Sequence, residues 1–295
     1  MSGNGIQNPL RGTVTAMVTP FDTSGELDLG GCRSVARHLV AHGSSGLVVG
    51  GTTGESPTLD DREKLDLLEA VLDEVDGVVP VALGTGSNDT RHSAALTRLA
   101  AEAGAAAGLV VTPYYNRPNR SGIEAHFTAI AEAAPDLPLI LYNIPSRVVT
   151  NMPPDLLADL GGLPNVVAVK QANDEEMGPV EGIELLAGND SGLLACLDAG
   201  GVGGILVASH LVGDRMADLI EAHQAGDRDR AVAIDASLAA AYEAMSVTTN
   251  PIPVKAALEM AGICGGTLRL PMVEATPAEK DRIRSLLGEA GVELP

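Results

Sequence analysis

Eight short runs of apolar, mostly β-branched residues punctuate the first three quarters of the chain. They are "GTVTAMVTP" (12–20), "SGLVVGG" (45–51), "VPVALGTG" (79–86), "AGLVVTPYY" (107–115), "LPLILYNIP" (137–145), "NVVAVK" (165–170), "IELLAGND" (183–190) and "GVGGILVAS" (201–209). Most lead into a stretch of helical period. In "DDREKLDLLEAVLDEV" (60–75), for example, Leu65, Leu68, Val71 and Leu72 share one face. Strands without polar alternation belong to parallel sheets covered on both sides. Eight strand–helix units in a row predict an α/β fold, a (β/α)8 TIM barrel, with an open doubly wound sheet as the alternative.

The pattern changes after an eighth helix near 211–225. No strand run returns, and "RAVAIDASLAAAYEAM" (230–245), "PIPVKAALEMAG" (251–262) and "TPAEKDRIRSLLGEAG" (276–291) read as helices. Thr276 is placed to cap the last of these, with Pro277 at its first position. The expected division is therefore a catalytic barrel over 1–226 and a helical region over 227–295. About a dozen residues separate the sixth and seventh runs, and Gly178, Pro179 and Gly182 are among them. The sixth barrel helix should be short or replaced by irregular structure.

Composition narrows the function. The chain of 295 residues is 45% hydrophobic but only 2% aromatic, so Val, Leu, Ile and Ala must fill the core. A formal net charge of −20 repels nucleic-acid backbones and anionic membranes. An anionic ligand would have to be drawn in by local cations. Cys32, Cys196 and Cys264 are odd in number and form no CxxC pair, which suits a reduced, cytoplasmic setting. The start "MSGNGIQNPLRG" has no basic region followed by an apolar stretch, and no apolar run reaches the roughly 18 residues of a membrane helix.

Barrel enzymes build their sites at the C-terminal ends of the strands. In order, those ends carry Thr52 and Thr53, Tyr114 and Tyr115, Tyr142 and Arg147, Lys170, and Gly188-Asn189-Asp190. Three of the four tyrosines fall in this set. Lys170 is one of only four lysines, and it ends an apolar strand, whereas Lys64 and Lys280 sit in charged helical patterns. Burial disfavours an ammonium, and the free amine is a nucleophile that forms a Schiff base with a keto acid. A structural ion pair, or a side chain reaching out to the barrel mouth, would explain the same residue without chemistry. "GGTTGESPT" (50–58) is a glycine-rich turn opening a helix, suited to a carboxylate or phosphate. It lacks the GK[ST] of a P-loop. His38 and His42 have no third ligand nearby, so no metal and no cofactor are expected.

Together, "GTTGES" (51–56), "TPYYNRP" (112–118), "YNIPSR" (142–147), the strand-borne Lys170, "NPIPVK" (250–255) and "LRLPM" (268–272) resemble the pyruvate-dependent lyase family. That family includes N-acetylneuraminate lyase and sugar-acid aldolases, and the resemblance runs from about Gly12 to Leu287. Arg147 within "YNIPSR", with "NPIPVK", is similar to the branch that condenses pyruvate with aspartate semialdehyde on the way to diaminopimelate and lysine. The resemblance implies a pyruvate Schiff base on Lys170, with no cofactor, and Thr52 and Thr53 on the pyruvate carboxylate. It implies Tyr142 as proton donor and acceptor, linked through Thr52 to Tyr115 from a neighbouring subunit, in a homotetramer built as a dimer of dimers. Arg147 would clamp the semialdehyde's carboxylate, and Gly188 and the backbone of Ile205 would line the site.

Two departures stand against that pattern. The segment after Lys170 is several residues shorter than usual, and His210 stands where asparagine is common. Some members of the family bind lysine as an inhibitor, at positions matching Ser56, Lys64, Asn88, His92 and Tyr114. Here Lys64 and His92 offer that ligand no negative charge, so weak or absent inhibition is expected. The rival readings are an aldolase of the same family acting on a sugar-derived keto acid, and a non-catalytic barrel that binds a keto acid.

Overall fold

In the computed structural model, which describes residues 6–294, eight parallel strands pair in chain order and close into a barrel. The ring closes where β1 (Gly12–Ala16) pairs with β8 (Gly203–Leu206), from Gly12 opposite Gly203 to Thr15 opposite Leu206. Closure rules out the open doubly wound sheet. Between them run β2 (Gly46–Val49), β3 (Val81–Gly84), β4 (Ala107–Val111), β5 (Leu139–Asn143), β6 (Val166–Gln171) and β7 (Glu184–Ala187). Residues 1–5, which include the start of the segment inspected for a leader, lie outside the described residues.

Side chains alternate across each strand, so one set fills the barrel and the other meets the helices. Val14, Ala16, Val48, Ala82, Ile140 and Leu186 belong to the inner cluster. The outer cluster sits under α1 (Leu29–Ala41), α2 (Asp61–Val75), α3 (Thr90–Glu102) and α4 (Arg120–Ala133). After β5 come a one-turn α5 (Pro145–Val148) and α6 (Pro154–Gly161). The crossover from β6 to β7 holds only a 3₁₀ turn at Asp174–Glu176 and a bridge between Val180 and Ile183, as the glycines and proline there predict. The barrel is completed by α7 (Leu193–Asp198) and α8 (Ser209–Gln224).

Three helices follow: α9 (Arg228–Ala244), α10 (Ile252–Met260) and α11 (Pro277–Glu289). Thr276 caps α11 in a full capping box with Glu279, since each side chain bonds the other's backbone N–H. The first of these helices packs on α8, which brings α9 and the start of α10 over the C-terminal mouth of the barrel. Helix α2 begins at Asp61 behind the cap Asp60, so the glycine-rich loop does not open it directly. A 3₁₀ turn, Ser56–Thr58, intervenes.

Candidate active site

Alternation decides where Lys170 points. Ala168 lies in the inner cluster, so Lys170, two residues on, projects into the barrel at its C-terminal end. Tyr142 does the same from β5, two residues after Ile140, and the two are register partners. The Lys170 Nζ lies 4.4 Å from the centroid of the Tyr142 ring. Both residues are 4% exposed. Among the described residues the Lys170 amine forms no hydrogen bond or ion pair with protein, and it faces a cavity of about 210 Å3. Thr112 anchors the tyrosine's strand, its N–H and hydroxyl both donating to the Tyr142 carbonyl, at 3.0 and 2.9 Å.

Thr52, Thr53, Arg147 and Gly188 line the same cavity. The Asn250 amide donates to the Thr53 hydroxyl at 3.0 Å, and the Asn250 carbonyl accepts from Arg147 Nη2 at 3.0 Å. Gly188 is glycine for space: a Cβ there would sit 2.7 Å from Ala172 Cβ and 2.8 Å from the Gln171 carbonyl. The Ile205 side chain is fully buried in the inner cluster, a placement that does not bear on the expected role of its backbone, and nearby Val207 lines the cavity. Tyr115 is absent from the cavity. It stands 89% exposed with φ at 70°, turned away from its own chain's lysine, and no hydrogen bond links Tyr142, Thr52 and Tyr115 within the chain.

Tyr242 and Asn250 escape a reading of strand ends, whereas Asp190 falls within it. Asp190 lies beside the site, and its carboxylate accepts from the N–H of Val207 at 2.8 Å and that of Ala208 at 3.1 Å. Burial pushes its pKa up, while those two N–H donors and the Lys170 charge oppose the rise. Tyr242, on α9, also lines the cavity, so all but Tyr115 of the four tyrosines border the mouth. Nothing in the α9 pattern marks it. Asn250 was visible only inside a motif.

A second, larger cavity of about 450 Å3 adjoins the first, and Thr52, Tyr142 and Arg147 border both. Ser56, Lys64, Asn88, His92 and Tyr114 all line it, as their grouping by resemblance implied. The expectation that no acid stands here fails. Asp89 lines the cavity, its Oδ1 accepting from the His92 N–H at 3.3 Å, and behind His92 the Asp61 Oδ1 lies 2.8 Å from Nε2. Lys64 is 6% exposed, because its helix face packs toward the cavity. His210 now has an account. Its Nε2 accepts from the Val18 N–H at 3.2 Å and its Nδ1 meets the Val207 carbonyl at 2.8 Å, which ties the exit of β1 to that of β8. Burial holds its pKa down, at about 4.

The Dihydrodipicolinate synthetase family model matches residues 9–290. The chain belongs to this family. A family relative from a Cyanothece species, 4-hydroxy-tetrahydrodipicolinate synthase, is 46% identical over 93% of this chain and 96% of its own length. The DHDPS of Cyanidioschyzon merolae, solved with lysine bound, superposes with a TM-score of 0.93 at 38% identity over 97% of this chain and 100% of that one. A monomeric dihydrodipicolinate synthase variant superposes equally well, with a TM-score of 0.93 at 37% identity over 96% of this chain and 98% of that one.

Proposed function

We propose that the chain is a lyase acting as a 4-hydroxy-tetrahydrodipicolinate synthase, condensing pyruvate with aspartate semialdehyde in the route to diaminopimelate and lysine. The observation that carries the site assignment is the unpaired Lys170 amine, buried 4.4 Å from the Tyr142 ring on the neighbouring strand. The amine attacks the C2 carbonyl of pyruvate, water leaves, and an imine forms. Loss of a C3 proton gives the enamine. Its C3 bonds to the aldehyde carbon of the second substrate, whose oxygen takes up a proton. The substrate's own amine then adds to C2 and expels Lys170 as the ring closes.

Tyr142 is the group placed to move those protons, being the hydroxyl-bearing side chain beside the amine. Thr52 and Thr53 offer hydroxyls and loop N–H groups to the pyruvate carboxylate. Arg147, exposed at the cavity mouth and held by the Asn250 carbonyl, is placed for the carboxylate of the semialdehyde. That cation favours an anionic partner over a polyhydroxylated one, and so the synthase over a sugar-acid aldolase. The Schiff base needs no added cofactor.

The site of one chain is incomplete without a second tyrosine, and the exposed Tyr115 is the residue that supplies it, to a neighbouring subunit. That role requires at least a dimer, and the resemblance to the family extends it to a dimer of dimers. The barrel over 1–226 would carry the chemistry and the helices over 227–295 would roof it. A cytoplasmic location accords with three free cysteines; among the described residues no helix is long and apolar enough to cross a membrane. Incubation with pyruvate, borohydride reduction and mass measurement tests the reading. A single reduced pyruvate on Lys170, together with turnover of the semialdehyde, is the expected result; no adduct refutes it.

A further inference from the structure

The most buried cation of the chain lies outside the cavity. Lys255 on α10 is 0% exposed, and its Nζ reaches Glu55 Oε1 at 2.5 Å and the Thr267 carbonyl at 2.7 Å, with the Phe21 ring centroid at 4.3 Å. The other oxygen of Glu55 accepts from the backbone N–H of Arg269 at 3.0 Å. Glu55 ends the Thr52–Thr53 turn and has φ at 55°, a left-handed conformation that side chains other than glycine and asparagine seldom adopt. The turn bonds Glu55 N–H back to the Thr52 carbonyl at 3.1 Å, so the angle at Glu55 and the facing of Thr52 are coupled.

A buried carboxylate tolerates no vacancy among its partners, because an unpaired charge in a dry interior is strongly disfavoured. The Lys255–Glu55 pair therefore fixes where Glu55 sits, and the two elements are joined a second time one turn earlier, where Asn250 holds Thr53. Arg269 braces the far side, donating to the Thr58 and Gly25 carbonyls at 2.7 Å each and to both oxygens of Glu63. Loop 52–58 is thus gripped from the C-terminal helical region at both of its flanks.

We propose that Lys255 and Glu55 are positioning residues: their buried pair holds the Thr52–Thr53 turn in the orientation that receives the carboxylate of the keto acid, so the C-terminal region sets substrate affinity from behind the loop. This rests on the pyruvate reading above. Neither side chain lines the cavity, so the effect reaches the substrate only through the loop.

The test is Glu55→Gln, which keeps the shape and removes the charge, beside Lys255→Met, which keeps the stem, in the full-length protein. The pyruvate KM should rise about tenfold, the scale of one displaced hydrogen bond to the carboxylate. The semialdehyde KM should stay within about twofold, and Lys255→Arg should recover part of the loss. A lower melting temperature with an unchanged pyruvate KM would reduce the pair to a purely structural brace and overturn the proposal. If Lys255→Met does not fold, Glu55→Gln carries the same expectation. Amide exchange separates the two readings. Should the wild type form no pyruvate adduct, faster exchange at Thr52–Ser56 in Glu55→Gln would still uphold the loop clamp, and unchanged exchange there would refute it.

Discussion

The barrel mouth and the junction with α10 each bury a lysine, and they treat it in opposite ways. At the junction, Lys255 has a carboxylate, a carbonyl and an aromatic face around its ammonium. At the mouth, Lys170 has an aromatic face and open cavity. An ammonium whose protons are all engaged by fixed acceptors has no lone pair to offer. An amine with room in front of it and no bonded acceptor is open to an incoming carbonyl. Burial alone therefore does not make a nucleophile; an approach path free of a bound carboxylate is needed as well. Asp190, the acid nearest the mouth, spends its oxygens on two backbone N–H groups.

Exchanging the fates of the two lysines gives the largest expected effect. Lys170→Ala should abolish the reducible pyruvate adduct and leave the melting temperature nearly unchanged. Lys255→Ala should do the reverse, forming adduct while losing roughly 3–5 kcal/mol of stability, because Glu55 is left buried and unpaired. Mass spectrometry after borohydride and a denaturant titration check both halves. An adduct surviving in Lys170→Ala would move the nucleophile elsewhere.

On the proposed role of Tyr115, the mouth also differs from the junction in needing a second chain. Tyr115→Phe should lower kcat by roughly 10²-fold, the scale of a lost proton relay. Dilution to monomers should remove activity in the same way while the fold persists. Sedimentation alongside the assay decides this, and full activity in a proven monomer would exclude the cross-subunit role.

How far the sequence could show this contrast differs from element to element. The strands were legible because their runs lack polar alternation, and α11 because Thr276 and Glu279 are spaced for a capping box. Lys170 was legible because a cation inside "VVAVK" has no helical face to explain it. Lys64 and Lys255 were not, since a helical pattern shows which residues share a face and not what covers that face. The pattern "DDREKLDLL" alone leaves Lys64 on a charged face, and only the family resemblance put it at the cavity wall that takes it. Asn250 acts through the Thr53 hydroxyl and the Arg147 guanidinium, both far along the chain, and no spacing reveals those partners. The closed ring was expected from eight units, but only the pairing of Gly12 with Gly203 excludes an open sheet.

His210 extends the comparison to a group kept neutral. It is fully buried with a pKa near 4, whereas the unfolded chain would titrate near the ordinary 6.5. The unfolded state thus takes up the proton first. This contribution to stability is present above about pH 6.5 and is lost as pH falls toward 4. His210→Asn, which keeps polar atoms between β1 and β8, should flatten the acid side of the stability curve. The expected gain relative to wild type at pH 5 is on the order of 2 kcal/mol, from about one and a half units below the unfolded value. Urea titrations at pH 7 and pH 5 measure it, and equal slopes in the two proteins would show that other groups carry the acid loss.

The smallest expected effect comes from the third buried lysine. Lys64 lines the larger cavity with no bonded carboxylate among the described residues, and burial lowers its pKa, against the pull of Asp61 and Asp60. If the ε-ammonium of a free lysine entered this cavity near Lys64, two like charges about 4 Å apart at an effective dielectric near 20 would repel by roughly 4 kcal/mol. Asp61 could offset part of that, but its Oδ1 already holds His92. Half-inhibition by lysine should therefore need millimolar concentrations or more, because Asp89, the acid at the cavity wall, already accepts from the N–H groups of Arg91 and His92 as the cap of α3. Lys64→Glu inverts the charge and should sharpen any inhibition several-fold, with Lys170 chemistry intact. An activity titration with lysine on both proteins settles the matter: submillimolar inhibition of the wild type would mean that the acids Asp89 and Asp61, and not Lys64, govern the cavity.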